Sequence, residues 1–331
     1  MRTNLFLLLS ILLFLSCKKN TSQPSDNYLV TTVAGDGSNG YKDGQGSAAK
    51  FSTLMDITVD NQGNLFVADY GNHCVRKISS SGQVTTLAGN RQTGHVDGPG
   101  HLASFDWLSG IAIDNNGNAY VGDKYRIRKI TSAGVVSTIA GGDSPGSMDG
   151  QGLDASFGNL GHMAADANGN IYVVDDGTII NKGYRIRKIT PSGAVSTFVE
   201  LNFFPIGLSI DDAGNLNASN SMGSEIVKIA PDKSITPIIR DVHAYIMDIC
   251  SDREGGFYFI QSGYFDQYHA IYKLDLQGTI TRIAGSDDPG YAEGSGTQAL
   301  FRQPIGLVAD AQKNIYVLDS QNWRIRKISR K

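Results

Sequence analysis

Arg126-Ile127-Arg128-Lys129-Ile130 lies within the phrase YRIRKIT, residues 125–131, which recurs letter for letter at 184–190 and as WRIRKIS at 323–329. Aligning on its lysine uncovers worn copies: HCVRKI at 73–78, EIVKI at 225–229 and AIYKL at 270–274. The six aligned lysines, Lys77, Lys129, Lys188, Lys228, Lys273 and Lys327, stand 52, 59, 40, 45 and 54 residues apart. Six units of this period predict a repeat architecture. Within the phrase, strand alternation puts Ile127 and Lys129 on one face and Arg128 and Ile130 on the other. Each face then carries one apolar and one cationic residue, as expected of a sheet packed on both sides. Long cationic stems should lie along such a sheet and bring their charges to its rim.

The rest of each unit follows the same plan. Upstream runs a glycine-led phrase, GNLFVAD at 63–69, repeated at 117–123 and 169–175 and worn at 214–220, 255–261 and 313–319. Before it comes an apolar segment ending in Asp60, Asp114, Asp166, Asp211, Asp252 or Asp310. After the lysine phrase comes a fourth segment, as at 84–88, 136–140, 195–199 and 235–239. Short, β-branched or aromatic runs bounded by Gly, Asn, Asp and Ser read as strands. Four strands in each of six units predict an all-β fold, a six-bladed β-propeller. The sixth unit ends after its third strand, while LVTTVA at 29–34 is a fourth strand without a unit. Closure of the last blade by this N-terminal strand would remove an exposed edge.

The N-terminus reads differently. Arg2 precedes the apolar run 5–15, then Ser16-Cys17-Lys18-Lys19. That run is shorter than the ~20 residues a bilayer span needs and suits the apolar region of a signal peptide. Small Ser16 before Cys17 resembles a bacterial lipobox, with Phe14 where such boxes carry Leu; the alternative is an ordinary secretory signal. The expected division is a lipoprotein signal peptide over 1–17 ending at a lipidated Cys17, a polar tether over 18–27, and the propeller over 28–331. The protein should be exported and lipid-anchored to the bacterial cell envelope, periplasm-facing or at the cell surface, touching membrane only through that anchor. Cys74 and Cys250 fall on non-adjacent units and are expected as buried free thiols. A formal charge of −3 with basic residues spread through the repeats argues against nucleic acid, whose electrostatic binding needs clustered positive charge. The chain is read as a monomer.

These phrases resemble NHL repeats over nearly all of 28–331. The family pattern of a DGxG loop, a following AxF, PxGIAVD, GNxYVAD and NxRIRKI is matched by Asp97-Gly98-Pro99-Gly100 with Ala103-Ser104-Phe105, and again from Asp43, Asp149 and Glu293. Units four and five lack the DGxG loop. The resemblance implies a fold more than a function, because NHL proteins include protein-binding, RNA-binding, sensor and enzymatic members.

Function is expected on one face. The turns at 60–63 and 79–82 are tight, whereas the DGxG loops and the loops after the GNxYVAD strands are longer, and both of these open on the same side of a propeller. Binding residues collect on such loops. Two stand out: the insertion 175–183, and 262–269, where Tyr264, Phe265, Tyr268 and His269 concentrate in a polar loop. These four either grip a ligand or pack between units five and six. The DGxG loops carry no Lys-Ser/Thr and open no helix, which argues against a phosphate cradle. Asp69, Asp123, Asp175 and Asp319 recur at a strand end and read as turn caps.

One ring position adds a candidate. Four residues before the aspartate of the apolar segment, units two, four and six carry Gly110, Gly207 and Gly306, while units one, three and five carry Asp56, His162 and Asp248. Two carboxylates and an imidazole facing one axis would bind a divalent cation such as calcium or zinc, hold a polar ligand, or merely line the channel. The leading expectation is a non-enzymatic, membrane-tethered propeller that binds a protein or glycan on its loop face. The alternative is a metal-dependent enzyme resembling propeller lactonases or the peptidyl-hydroxyglycine amidating lyase, whose histidine-rich zinc site has no counterpart in this chain. A pure assembly scaffold is the third.

Overall fold

The structure is a computed structural model and describes residues 25–177, 183–220, 225–240, 245–262 and 269–331. Six antiparallel sheets follow one another around a ring. In blade one the strands run outward from the axis as Leu54–Val59, Leu65–Asp69, Cys74–Ile78 and Gln83–Ala88. Blades two to five repeat this order, starting from Leu108–Ile113, Leu160–Ala165, Pro205–Ile210 and Ile246–Ser251. Blades one, three and six add a two-residue outermost strand. The inner strands pack side by side, and Pro304–Ala309 of blade six meets Leu54–Val59 to complete the circle.

Closure is the predicted one. Tyr28–Ala34 pairs antiparallel with Arg324–Arg330, from Tyr28↔Arg330 to Ala34↔Ile325, with a register shift after Thr32. Val30 and Ala34 are fully buried, so the strand fills the core between blades as well as the edge. The end of the expected tether is bonded too: Ser25 donates its N–H to Arg282 O at 3.0 Å. Residues 1–24, including Cys17, lie outside the described residues. Among the described residues no helix is long and apolar enough to cross a membrane. Cys74 and Cys250 are free and buried, as expected.

Arg128 and Lys129, two cations of the RIRK phrase, behave differently. Lys129 does lie along its blade, its Nζ 5.6 Å from the Tyr120 ring centroid. Arg128 does not reach the rim: Arg76, Arg128, Arg187 and Arg326 are all fully buried. Arg128 Nη1 meets Asp123 Oδ2 at 2.5 Å and Nη2 meets Asp97 Oδ1 at 2.8 Å, with the guanidinium 5.0 Å above the Phe105 ring. Arg76 does the same with Asp69, Asp43 and Phe51, and Arg187 with Asp175, Asp149 and Phe157. The buried strand-end aspartate and AxF ring, with the solvent-facing DGxG aspartate, therefore clamp the buried RIRK arginine in blades one to three. The planar, five-donor guanidinium suits this better than a lysine would, because it bonds two carboxylates and stacks at once.

Candidate functional site

The two ends of the ring are chemically distinct. At one end each inner strand turns tightly into the next, with Asp60 Oδ1 accepting the Gln62 and Asn64 N–H groups and Gly63 at φ 79°. At the other end the long loops meet. Asn72 donates to Gly40 O at 2.9 Å, and Asp69 accepts the Ser52 N–H at 3.0 Å.

Asp56, His162 and Asp248 sit near the loop end of the inner strands of blades one, three and five, and they converge. His162 Nδ1 is 3.4 Å from Asp56 Oδ1 and 3.4 Å from Asp248 Oδ1. One ligand atom from each lies within 4.8 Å of the others. Both carboxylates are built in by matching bonds. Asp56 Oδ1 accepts the N–H of Ile57 at 2.8 Å and Oδ2 that of Ile111, in blade two, at 2.8 Å. Asp248 Oδ1 accepts Ile249 N–H at 2.8 Å and Oδ2 that of Leu307, in blade six, at 2.9 Å. Each carboxylate thus joins its own blade to the next.

The alternating glycines explain how three side chains fit on one axis. A Cβ on Gly207 would lie 2.7 Å from Asp248 Cα and 2.8 Å from its Oδ1. A Cβ on Gly110 would lie 2.2 Å from Gly161 O and 2.9 Å from the His162 carbonyl carbon. Side chains at 110 and 207 would collide with the neighbouring odd blades, so these two glycines yield space to them. Desolvation raises the pKa of both carboxylates, opposed by the imidazole beside them. For His162, burial works against the cation, yet the two carboxylates raise its pKa above the ordinary value.

From this cluster a cavity of about 240 Å³ follows the inner strands toward the tight-turn end, reaching Asp60, Asn61, Asp114, Asn115 and Arg253. Five residues of strand correspond to about 16 Å. The triad therefore stands at the loop-side end of a polar channel that leads to the opposite face.

The loop face has its own cluster. Trp107 is 54% exposed, and its ring packs on Tyr70 with centroids 5.0 Å apart. Its backbone is pinned on both sides: its N–H donates to Asp123 Oδ1 at 3.1 Å, and its carbonyl accepts Lys124 N–H at 2.9 Å. Beside it the Asp106 carboxylate holds Lys124 Nζ at 3.1 Å and faces His95 Nε2 at 3.7 Å. His95 Nδ1 is 3.1 Å from Asp123. The aligned positions show how far blade two departs from the repeat: Trp107 replaces Thr53, Asn159 and Gln303, and Asp106 replaces Ser52, Gly158 and Arg302. The sequence reading missed this cluster.

Of the loop residues that reading chose, Tyr264, Phe265 and Tyr268 lie outside the described residues, as do 178–182 of the insertion. His269 is a correction. It opens the third strand of blade five, fully buried, where Nδ1 accepts the Gln303 N–H at 3.3 Å. Burial withdraws it from any loop-face surface.

Blade one carries the clearest sequence signature. Residues 55–78 match the NHL repeat. The chain is 26% identical over 297 residues to NHL repeat-containing protein 2 of Bos taurus, a match that covers 83% of this chain. It spans only 38% of that relative's length. Among solved structures, an auxiliary nutrient binding protein from Bacteroides ovatus superposes with a TM-score of 0.67 at 16% identity, covering 92% of this chain and 77% of that one. A gluconolactonase from Xanthomonas campestris superposes with a TM-score of 0.61 at 12% identity, covering 91% and 89%. At such identities the likeness establishes the propeller fold alone.

Proposed function

We propose that the protein is a non-catalytic binding propeller, exported and lipid-anchored through Cys17 to the bacterial cell envelope, that takes a glycan on its loop face at blades one and two. The observation that carries this reading is Trp107: a large ring left more than half exposed, yet fixed by Tyr70 beneath it and by two backbone bonds. A rigid aromatic face loses little conformational freedom on binding. A sugar offers it an apolar face of C–H groups and a rim of hydroxyls. Asp106, Lys124 and His95 supply acceptors and donors at that rim. A protein partner would use the same ring as an anchor, and is the outcome to be distinguished. The fold shared with an auxiliary nutrient binding protein supports a binding role.

The test is a glycan array on the purified chain beside Trp107→Ala, with membrane fractionation of Cys17→Ser. Retained glycans lost by at least tenfold in Trp107→Ala, and release of Cys17→Ser from membranes, are expected. Capture of a protein but no glycan would overturn the glycan reading. Unchanged fractionation would overturn the anchor.

A second reading has an observation of its own. Convergence of Asp56, His162 and Asp248 suits a metal-dependent enzyme, and a gluconolactonase shares the fold. Metal-dependent turnover in a lactone screen, abolished by Asp248→Asn, would favour it over the binding role.

A further inference from the structure

We propose that Asp56, His162 and Asp248 form a binding site for one divalent cation of the zinc class, which joins alternate blades at the axis and leaves a coordination position open to the channel. This is independent of any glycan on the loop face: Trp107 does not line the channel.

The spacing carries the argument. Nδ1 stands 3.4 Å from a carboxylate oxygen on each side. Side-chain hydrogen bonds to nitrogen fall at about 2.7–3.2 Å, and no hydrogen bond joins His162 to either aspartate among the described residues. Three mutually attracting groups meet on the axis at ion-pair distance without closing a hydrogen bond. Metal bonds of about 2.1 Å in tetrahedral geometry place ligand atoms about 3.4 Å apart. Both nitrogen–oxygen gaps thus match the edge of a zinc site, and the three ligand atoms all lie within 4.8 Å of one another.

What keeps the groups at that distance is outside them. All four carboxylate oxygens are fixed by backbone N–H groups, two from neighbouring blades. These bonds are the outer support that orients ligating carboxylates in metal sites. Gly207 leaves space beside the triad, since a Cβ there would press on Asp248 Oδ1 itself. A ring position that only needed filling would not require its neighbours to be empty.

The donors select the ion. Calcium prefers six to eight oxygen ligands, whereas one imidazole and two carboxylates suit zinc or another first-row ion. Three protein ligands leave the fourth tetrahedral position for water or a ligand donor. The polar channel from the triad to Asn61 and Arg253 is the route to that position.

The direct experiment is calorimetric titration of the chelator-treated, detergent-solubilised full chain with zinc chloride, then calcium chloride, beside cobalt substitution read by visible absorption. Two variants are chosen to keep the fold. Asp56→Asn retains an oxygen for one backbone N–H, and His162→Gly gives blade three the residue that the even blades carry. One zinc per chain is expected, with calcium bound far more weakly and the intense visible bands of four-coordinate cobalt. Affinity should fall about a hundredfold or more in both variants, with thermal melts of the metal-free proteins confirming that they fold. Asp106→Asn, on the loop face, should bind zinc as the parent does. Absence of zinc binding by the parent, or parent-like affinity in Asp56→Asn or His162→Gly, would overturn the site.

Discussion

Blades one, two and three each bury an arginine between two carboxylates, and blade six buries Arg326 against Asp319 and the Phe301 ring; blades four and five carry no arginine at this position. At the arginine position blade four has Val227 and blade five has Tyr272; at the strand-end aspartate they have Asn220 and Gln261. The DGxG aspartate is missing from both with its loop. The clamp was lost as a set, cation and anions together, and apolar packing stands in its place. Val227 is buried, and Tyr272 stacks on Phe259 with centroids 5.4 Å apart. The physical lesson concerns buried charge. A desolvated ion pair is often no more stable than a well-packed apolar substitute, but half of one is very costly. Blades four and five accordingly lack both members of the buried pair, the arginine and the strand-end aspartate.

The largest test of this comparison attacks a clamped blade at its seam. A chain beginning at Asp43 lacks the strand Tyr28–Ala34. It leaves blade six with an open edge and uncovers the core around Val30 and Ala34. Each large apolar side chain withdrawn from the core is worth about 1.5–3 kcal/mol, and the ladder to Arg324–Arg330 goes with it. Against a total stability of about 5–15 kcal/mol, loss of cooperative unfolding or aggregation is expected, monitored by circular dichroism and sedimentation. A truncated chain that melts like the parent would show that closure does not hold the ring.

The next effect is the clamp itself. Arg187→Met strands fully buried Asp175, and should cost about 3–5 kcal/mol in urea unfolding. Converting blade three toward the blade-four pattern, with Arg187→Val, Asp175→Asn and Asp149→Asn together, should recover most of that loss. If the triple variant is no more stable than Arg187→Met, coordinated loss is not what allowed blades four and five to diverge.

How much of this was legible in the sequence depends on whether a feature repeats. Blades, strand order and closure were readable because six aligned copies turn a linear pattern into ring positions. The same alignment made Asp56, His162 and Asp248 visible, since each replaces a glycine at an equivalent place. The clamp was half visible. Alternation gave the direction of Arg128, and both aspartate series were noticed, but their meeting depends on how the DGxG loop folds back over the blade. Trp107 shows the limit from the other side. It departs from its repeat as clearly as His162 does, yet it follows a motif rather than lying in one, so comparison of motifs passed over it. His269 differs from its expectation because the strand His269–Leu274 begins one residue earlier than the AIYKL phrase shows.

The smallest effect expected compares two even-blade glycines, one beside each kind of blade. Neither Gly207 nor Gly306 has a positive φ, so alanine is compatible with both backbones. At Gly306, in clamped blade six, the nearest atoms to a new Cβ are Leu318 Cδ1 at 3.0 Å, Leu318 Cγ at 3.4 Å and Ile57 Cγ2 at 3.6 Å. These are side-chain atoms, and a shift of a few tenths of an ångström at Leu318 admits the methyl. Reduced freedom of the unfolded chain returns about 0.4–1 kcal/mol. Gly306→Ala should therefore stay within about 1 kcal/mol of the parent. At Gly207, beside unclamped blade five, the nearest atom is Asp248 Cα at 2.7 Å, which is backbone and cannot turn aside. Gly207→Ala should cost about 1–3 kcal/mol, as overpacking does, and should weaken zinc binding by moving Asp248. Equal stability and equal zinc affinity in the two variants would mean that Gly207 does not make room for Asp248.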